Sequence, residues 1–183
     1  MEETIESYEV TVGKKKEPRR RKVRKVKETV ASGQSEDTVR ASIDRANEVW
    51  KPAGISFRLQ KFVSQDMVFE DTAVTEEGFL SLVTALKLPA AGLSMLFVRK
   101  FDSPHLGGQA IEAKGAGIVA HTTEPTQGNV LAHELGHLLG LPDLKHVDNS
   151  VKHRYNLMYE ASQAGQQLEP DQIKTARANA AKK

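Results

Sequence analysis

The run His133-Glu134-Leu135-Gly136-His137-Leu138-Leu139-Gly140-Leu141-Pro142-Asp143 places two imidazoles, two carboxylates and a helix-ending glycine within eleven residues. Residues four apart on an α-helix lie one turn above each other on the same face, so His133 and His137 can point ring nitrogens at one ion. Zinc takes nitrogen ligands at about 2.0 to 2.1 Å, which suits such a pair. Glu134 follows the first histidine directly and is rotated off that face. It can there reach a water molecule instead of the metal and act as a general base. These types at this spacing predict a hydrolytic zinc centre.

Two histidines leave zinc short of ligands, and a hydrolytic site needs a third protein donor plus an open position for water. Gly140, three residues after His137, can take the left-handed conformation that ends a helix. Pro142 bars any resumption of that helix, so the chain bends back and delivers Asp143. A carboxylate oxygen binds zinc at a similar distance.

The pattern His133-Glu134-x-x-His137-x-x-Gly140-x-x-Asp143, followed by Asn156-Leu157-Met158-Tyr159, resembles the metzincin clan of zinc metallopeptidases, whose long motif ends in His or, in snapalysin-like members, Asp. The resemblance implies one zinc ion held by His133, His137 and Asp143, with Glu134 as the catalytic base. Met158 would form the Met-turn, packed under the histidines without binding zinc. The implied activity is endopeptidase cleavage of a protein or peptide substrate. His146, three residues beyond Asp143, is the alternative third ligand because imidazole is the commoner zinc donor. Asp143 is preferred, since its offset from Gly140 matches the motif. Where some metzincins carry a tyrosine two residues after the methionine, this chain has Glu160, so a tyrosine switch is not expected.

The implied fold is α/β (α+β): a twisted mixed sheet with an edge strand along the cleft, an active-site helix, the Met-turn and a C-terminal helix. In that fold the strand just before the zinc helix, here Gly117-Ile118-Val119-Ala120, would be the edge to which an extended substrate adds through main-chain hydrogen bonds. Taken by itself, so short an apolar run reads more readily as core.

The remaining elements must position this centre. Ser35 with Glu36 and Asp37 reads as the start of a helix to Trp50, with Val39, Ile43, Ala46 and Trp50 near helical spacing, stopped by Pro52 and Gly54. Ile55, Phe57 and Leu59 alternate with Ser56 and Arg58 as in a half-buried strand. Glu76 to Leu88 reads as a second helix with a stripe of Phe79, Leu80, Leu82, Val83 and Leu86. Leu93 to Phe101 reads as a central strand covered on both faces. Glu169-Pro170-Asp171 opens a last helix over Gln172 to Ala181, expected to serve packing.

With 183 residues, 39% of them hydrophobic, there is enough chain for one sizeable core. Residues 28–183 are expected to form it. Residues 1–27 are set apart by charge: Lys14 to Lys27 carries ten basic residues and one acid, +9, leaving −7 on the remainder to reach +2 overall. This segment reads either as a flexible arm leading into the first strand or as a patch for contact with a polyanion. The absence of cysteine excludes disulfides and thiolate ligands. No apolar run is long enough to span a membrane and no leader is recognisable, so a monomer working in the cytoplasm or exported by a leaderless route is expected. His105, His121 and His153 lack ligand-like spacing and read as surface or packing residues, although His121 ends the expected edge strand. Two rival functions fit the same residues: a non-catalytic zinc-containing domain that binds peptides, and one that binds polyanions.

Overall fold

The computed structural model describes residues 2–12, 15–25, 33–64, 75–86, 88, 92–101, 107–122, 125–144, 155–159 and 165–182. The chain divides into two compact units, Met1–Val30 and Ala31–Lys183. The first unit holds an antiparallel ladder: β1 (Glu2–Val12) pairs with β2 (Lys15–Lys25), from Glu2 opposite Lys25 to Val12 opposite Lys15. The register sets Glu2, Glu3 and Glu6 against Lys25, Arg24 and Arg21. Both strands of a two-stranded ladder are edges, which tolerates Pro18 in β2.

The second unit is mixed α/β, built on a three-stranded sheet ordered β3-β5-β4. β3 (Ser94–Val98) lies parallel to β5 (Ala116–Ala120), and β4 (Gly108–Ile111) lies antiparallel to β5. Two expectations change here. Gly117, Ile118, Val119 and Ala120 form the inner strand, buried throughout, not the edge. β3, expected to be central, has β5 as its one strand neighbour among the described residues. The run's hydrophobicity marks cover on both faces, and β3 is half-buried on both; it carries no information on neighbour order.

Side chains alternate between two clusters on the two faces of the sheet. Met95, Phe97, Ala110 and Val119 belong to one cluster with residues of α1 (Glu36–Trp50), α3 (Thr126–Leu138) and α4 (Pro170–Ala180). Leu96, Val98, Ala116, Ile118 and Ala120 meet α2 (Glu76–Ala85). α2 stops at Ala85 rather than Leu88, and Leu80, expected on its apolar stripe, is 50% exposed.

α1 starts as its sequence directs: the Ser35 hydroxyl accepts from the Thr38 N–H at 3.1 Å, and Glu36 and Asp37 lie at the positive end of the helix dipole. Val39, Ala46, Val49 and Trp50 are buried, and the Trp50 indole donates to the Ala132 carbonyl at 3.1 Å, tying α1 to α3. The expected strand over Ile55 to Leu59 keeps its alternation of half-buried and exposed residues but joins no ladder. The Asn47 side chain replaces a neighbouring strand there. Its amide donates to the Phe57 carbonyl at 3.0 Å and accepts from the Phe57 N–H at 2.7 Å. Among the described residues, no helix is long and apolar enough to cross a membrane.

Candidate metal centre

α3 carries His133 and His137 one turn apart, with ring centroids at 4.7 Å and planes nearly perpendicular. The helix ends in a reversal in which the Leu141 N–H donates to the Gly136 carbonyl at 3.0 Å and the Gly140 N–H to the His137 carbonyl at 2.9 Å. Gly140 takes φ of 80° to make this closure, a conformation that costs a side-chain-bearing residue about 1–2 kcal/mol. The reversal has two products. It brings the Leu141 carbonyl to His137 Nδ1 at 2.8 Å, and it returns Asp143 to both histidines.

A second loop serves His133. Asn156–Tyr159 forms a tight turn, closed by Tyr159 N–H to the Asn156 carbonyl at 3.2 Å and by Met158 N–H to the Asn156 side-chain oxygen at 2.9 Å. The Leu157 carbonyl in this turn lies 2.7 Å from His133 Nδ1. The Leu144 N–H donates to the Met158 carbonyl at 2.7 Å, anchoring the chain just past Asp143. Met158 is fully buried against α3 at Gly136, where a β-carbon would lie 2.5 Å from the methionine sulfur.

A carbonyl oxygen can only accept, so the Nδ1 of each histidine carries a hydrogen, and in the neutral ring each Nε2 presents a lone pair. These two Nε2 atoms are 3.1 Å apart, and Asp143 Oδ1 lies 3.3 Å from one and 3.4 Å from the other. Three electron-rich atoms this close repel one another unless a cation lies among them. A tetrahedral site with bonds of about 2.0–2.1 Å has edges of about 3.3–3.4 Å, whereas an octahedral face at such lengths would have edges of about 2.9 Å. The triangle fits the former, so His133, His137 and Asp143 could hold a metal ion. Their side chains remain 15%, 22% and 38% exposed, which leaves solvent access for a further ligand. Burial holds the His133 imidazole below its ordinary pKa, with His137 adding to the effect, against the Leu157 carbonyl and Asp143, which raise it. It is therefore predisposed to the neutral form that a metal requires.

Glu134 is 4% exposed, and its Oε2 is buried without a hydrogen-bond partner. Burial, and secondarily the Asp143 charge, push its carboxyl up to about 8. Space for this side chain comes from β4: a β-carbon on Gly108 would lie 2.5 Å from Glu134 Oε1. The Gly107 carbonyl accepts from the Ala120 N–H, and the antiparallel register then turns the main-chain groups of Gly108 and Ala110 away from β5. The sheet edge beside Glu134 is thus β4. Nothing in the composition of Gly108-Gln109-Ala110-Ile111 announces a strand; the adjacent Gly107-Gly108 pair is the signal that could have marked a close approach.

The structure thus brings together His133, His137, Asp143, Glu134 and Met158, and puts Gly117 to Ala120 in the interior. His121 is exposed and shares a hydrogen bond with the Gln34 amide at 2.8 Å. His105, His146, His153 and Glu160 lie outside the described residues. A buried amide that the sequence did not flag, Gln127, donates to Ser42 Oγ and Gln34 Oε1 and accepts from the Thr122 N–H. It fixes the N-terminal turn of α3 to α1. No protein-family model matches this chain, and no curated protein matches it.

Proposed function

We propose that this chain is a zinc-dependent endopeptidase of metzincin type. The observation that carries the reading is the triangle of two lone-pair-bearing imidazole nitrogens and one carboxylate oxygen, with sides of 3.1, 3.3 and 3.4 Å, next to a buried, unpartnered carboxyl oxygen. His133, His137 and Asp143 would hold the ion, and the two-histidine, one-carboxylate donor set suits zinc. Bound there, zinc supplies Lewis acidity, polarising a carbonyl and lowering the pKa of water from 15.7 toward about 7.

The protein's own part is proton transfer and positioning. Glu134 takes a proton from the attacking water as the water oxygen bonds to the scissile carbonyl carbon. It returns that proton to the amide nitrogen as the carbon–nitrogen bond breaks. Buried as it is, Glu134 needs nearby positive charge to be ionised at neutral pH. An extended peptide would add to β4 through the outward main-chain groups of Gly108 and Ala110, which run beside the base. This assigns to β4 the role that the resemblance gave to the strand before the zinc helix.

The test is cleavage of a quenched fluorescent peptide library by wild type and Glu134→Ala, with zinc measured in both. One zinc per chain in each, and cleavage by wild type alone, is the expected result. Zinc in both with no cleavage by either would instead favour a peptide- or polyanion-binding domain.

A further inference from the structure

The two carbonyls that orient the histidines belong to two separate loops, and both loops are tied to the same helix. Gln172 and Asn179 stand seven residues apart on α4, two turns along one face, with buried Ala176 between them. Gln172 meets Asn156 in a two-point amide pair: Asn156 Nδ2 donates to Gln172 Oε1 at 2.9 Å, and Gln172 Nε2 donates to Asn156 Oδ1 at 3.2 Å. The same Asn156 oxygen accepts the Met158 N–H, so the pair fixes the turn that presents the Leu157 carbonyl to His133. The Gln172 oxygen also accepts the Glu169 N–H at 2.8 Å, anchoring this side chain to the start of its own helix. At the other end, Asn179 Nδ2 donates to the Leu139 carbonyl at 3.0 Å. That carbonyl sits at the C-terminus of α3, immediately before the Gly140 reversal that presents the Leu141 carbonyl to His137 and returns Asp143.

We infer that α4 is a clamp on the metal centre, with Gln172 and Asn179 as positioning residues that hold the two loops orienting its ligands. Packing alone does not call for these amides. Ile173, Ala176 and Ala180 already give α4 its apolar contacts with the core, and Asn156 is a buried polar residue whose Nδ2 would lose its Gln172 partner at a purely apolar contact. A third polar anchor, Arg177 Nε to the Ala53 carbonyl at 2.6 Å, ties α4 to the 3₁₀ turn after α1 and not to either loop. It supplies an internal control. The inference rests on the metal-binding part of the function proposed above and not on peptide hydrolysis.

The experiment compares Gln172→Leu, Gln172→Glu and Asn179→Ala with two controls on the same helix, Ile173→Ala for packing and Arg177→Met for a polar anchor. Two properties are read on full-length protein alongside Tm: imidazole nitrogen shifts in the metal-free state, which report the tautomer of each ring, and zinc affinity by chelator competition. Gln172→Leu is expected to turn the single Nδ1–H tautomer of His133 into a mixture, Asn179→Ala to do so for His137, and each to weaken zinc about tenfold. Gln172→Glu keeps the acceptor for Asn156 Nδ2 and loses the donor, so it should fall between wild type and Gln172→Leu; it carries the test if the leucine variant does not fold. The controls should lower Tm while keeping tautomers and affinity. Unchanged tautomers and affinity in the Gln172 and Asn179 variants, or equal losses in controls of equal Tm, would overturn the clamp. If wild type takes up no zinc, the metal reading falls and the tautomers alone decide the clamp.

Discussion

Glu134→Gln isolates the cost of keeping a carboxyl in the interior. Glu134 is 4% exposed, its Oε2 has no partner, and burial followed by the Asp143 charge raises its pKa from the ordinary 4.5 to about 8. The sign follows from proton linkage. Between those values the folded metal-free chain keeps the proton while the unfolded chain has released it, so stability falls as pH rises through that window. At about 1.36 kcal/mol per pH unit, the full loss amounts to about 5 kcal/mol by pH 9. Glutamine has nearly the same shape and no charge to acquire, so its variant escapes the loss. Urea unfolding of both metal-free proteins, followed by circular dichroism from pH 4 to pH 9, gives the difference directly because groups common to both cancel. The variant should gain about 5 kcal/mol on wild type across the range. Parallel curves would refute the reasoning, and with it the claim that this carboxyl is a base held neutral until a cation arrives.

Asp143→Ala should lower zinc affinity by more than a hundredfold, read by chelator competition; retention of full affinity would mean that the third donor is another residue, with His146 the first to test. Gly108→Ala puts a β-carbon within 2.5 Å of Glu134 Oε1 and 2.6 Å of its Cγ. The base must shift, and stability should fall by about 1–3 kcal/mol as in other overpacked sites. Zinc content should hold while peptide cleavage drops, and unaltered turnover would separate Gly108 from the base. Asn47→Ala leaves both main-chain groups of Phe57 without their partner, at a cost of about 2 kcal/mol in urea unfolding with zinc affinity unchanged. A loss under 0.5 kcal/mol would mean that water replaces the amide.

What the sequence disclosed is what side chains disclose. Ser35, Glu36 and Asp37 mark the start of α1, Glu169 and Pro170 that of α4, and the histidine spacing with Gly140 and Pro142 lays out the ligand triangle, because each acts locally through its own chemistry. Strand order escaped for the opposite reason. The apolar run at Gly117 to Ala120 reads by itself as core, and the resemblance alone made it an edge; β4 is four residues long with a glutamine in it. Ile55 to Leu59 has the alternation of a strand, but a ladder needs a partner, and an asparagine eight residues before that stretch took the place of one.

The least legible part of the candidate centre is the layer behind the two histidines. His133 and His137 are oriented by the carbonyls of Leu157 and Leu141, and a carbonyl is the same group in every residue. No pattern of residue types could mark those two positions as special; they matter through where the chain passes. Side-chain signals reappear one step further out, in Asn156, Gln172 and Asn179, which control where those loops run. Read from sequence alone, these are a polar residue before a methionine and two amides on an exposed-looking helix. Their meaning depends on contacts 16 and 40 residues away along the chain. The candidate triad of His133, His137 and Asp143 was therefore open to inspection by spacing, while the contacts proposed to keep two imidazoles in one tautomer became visible only with the fold.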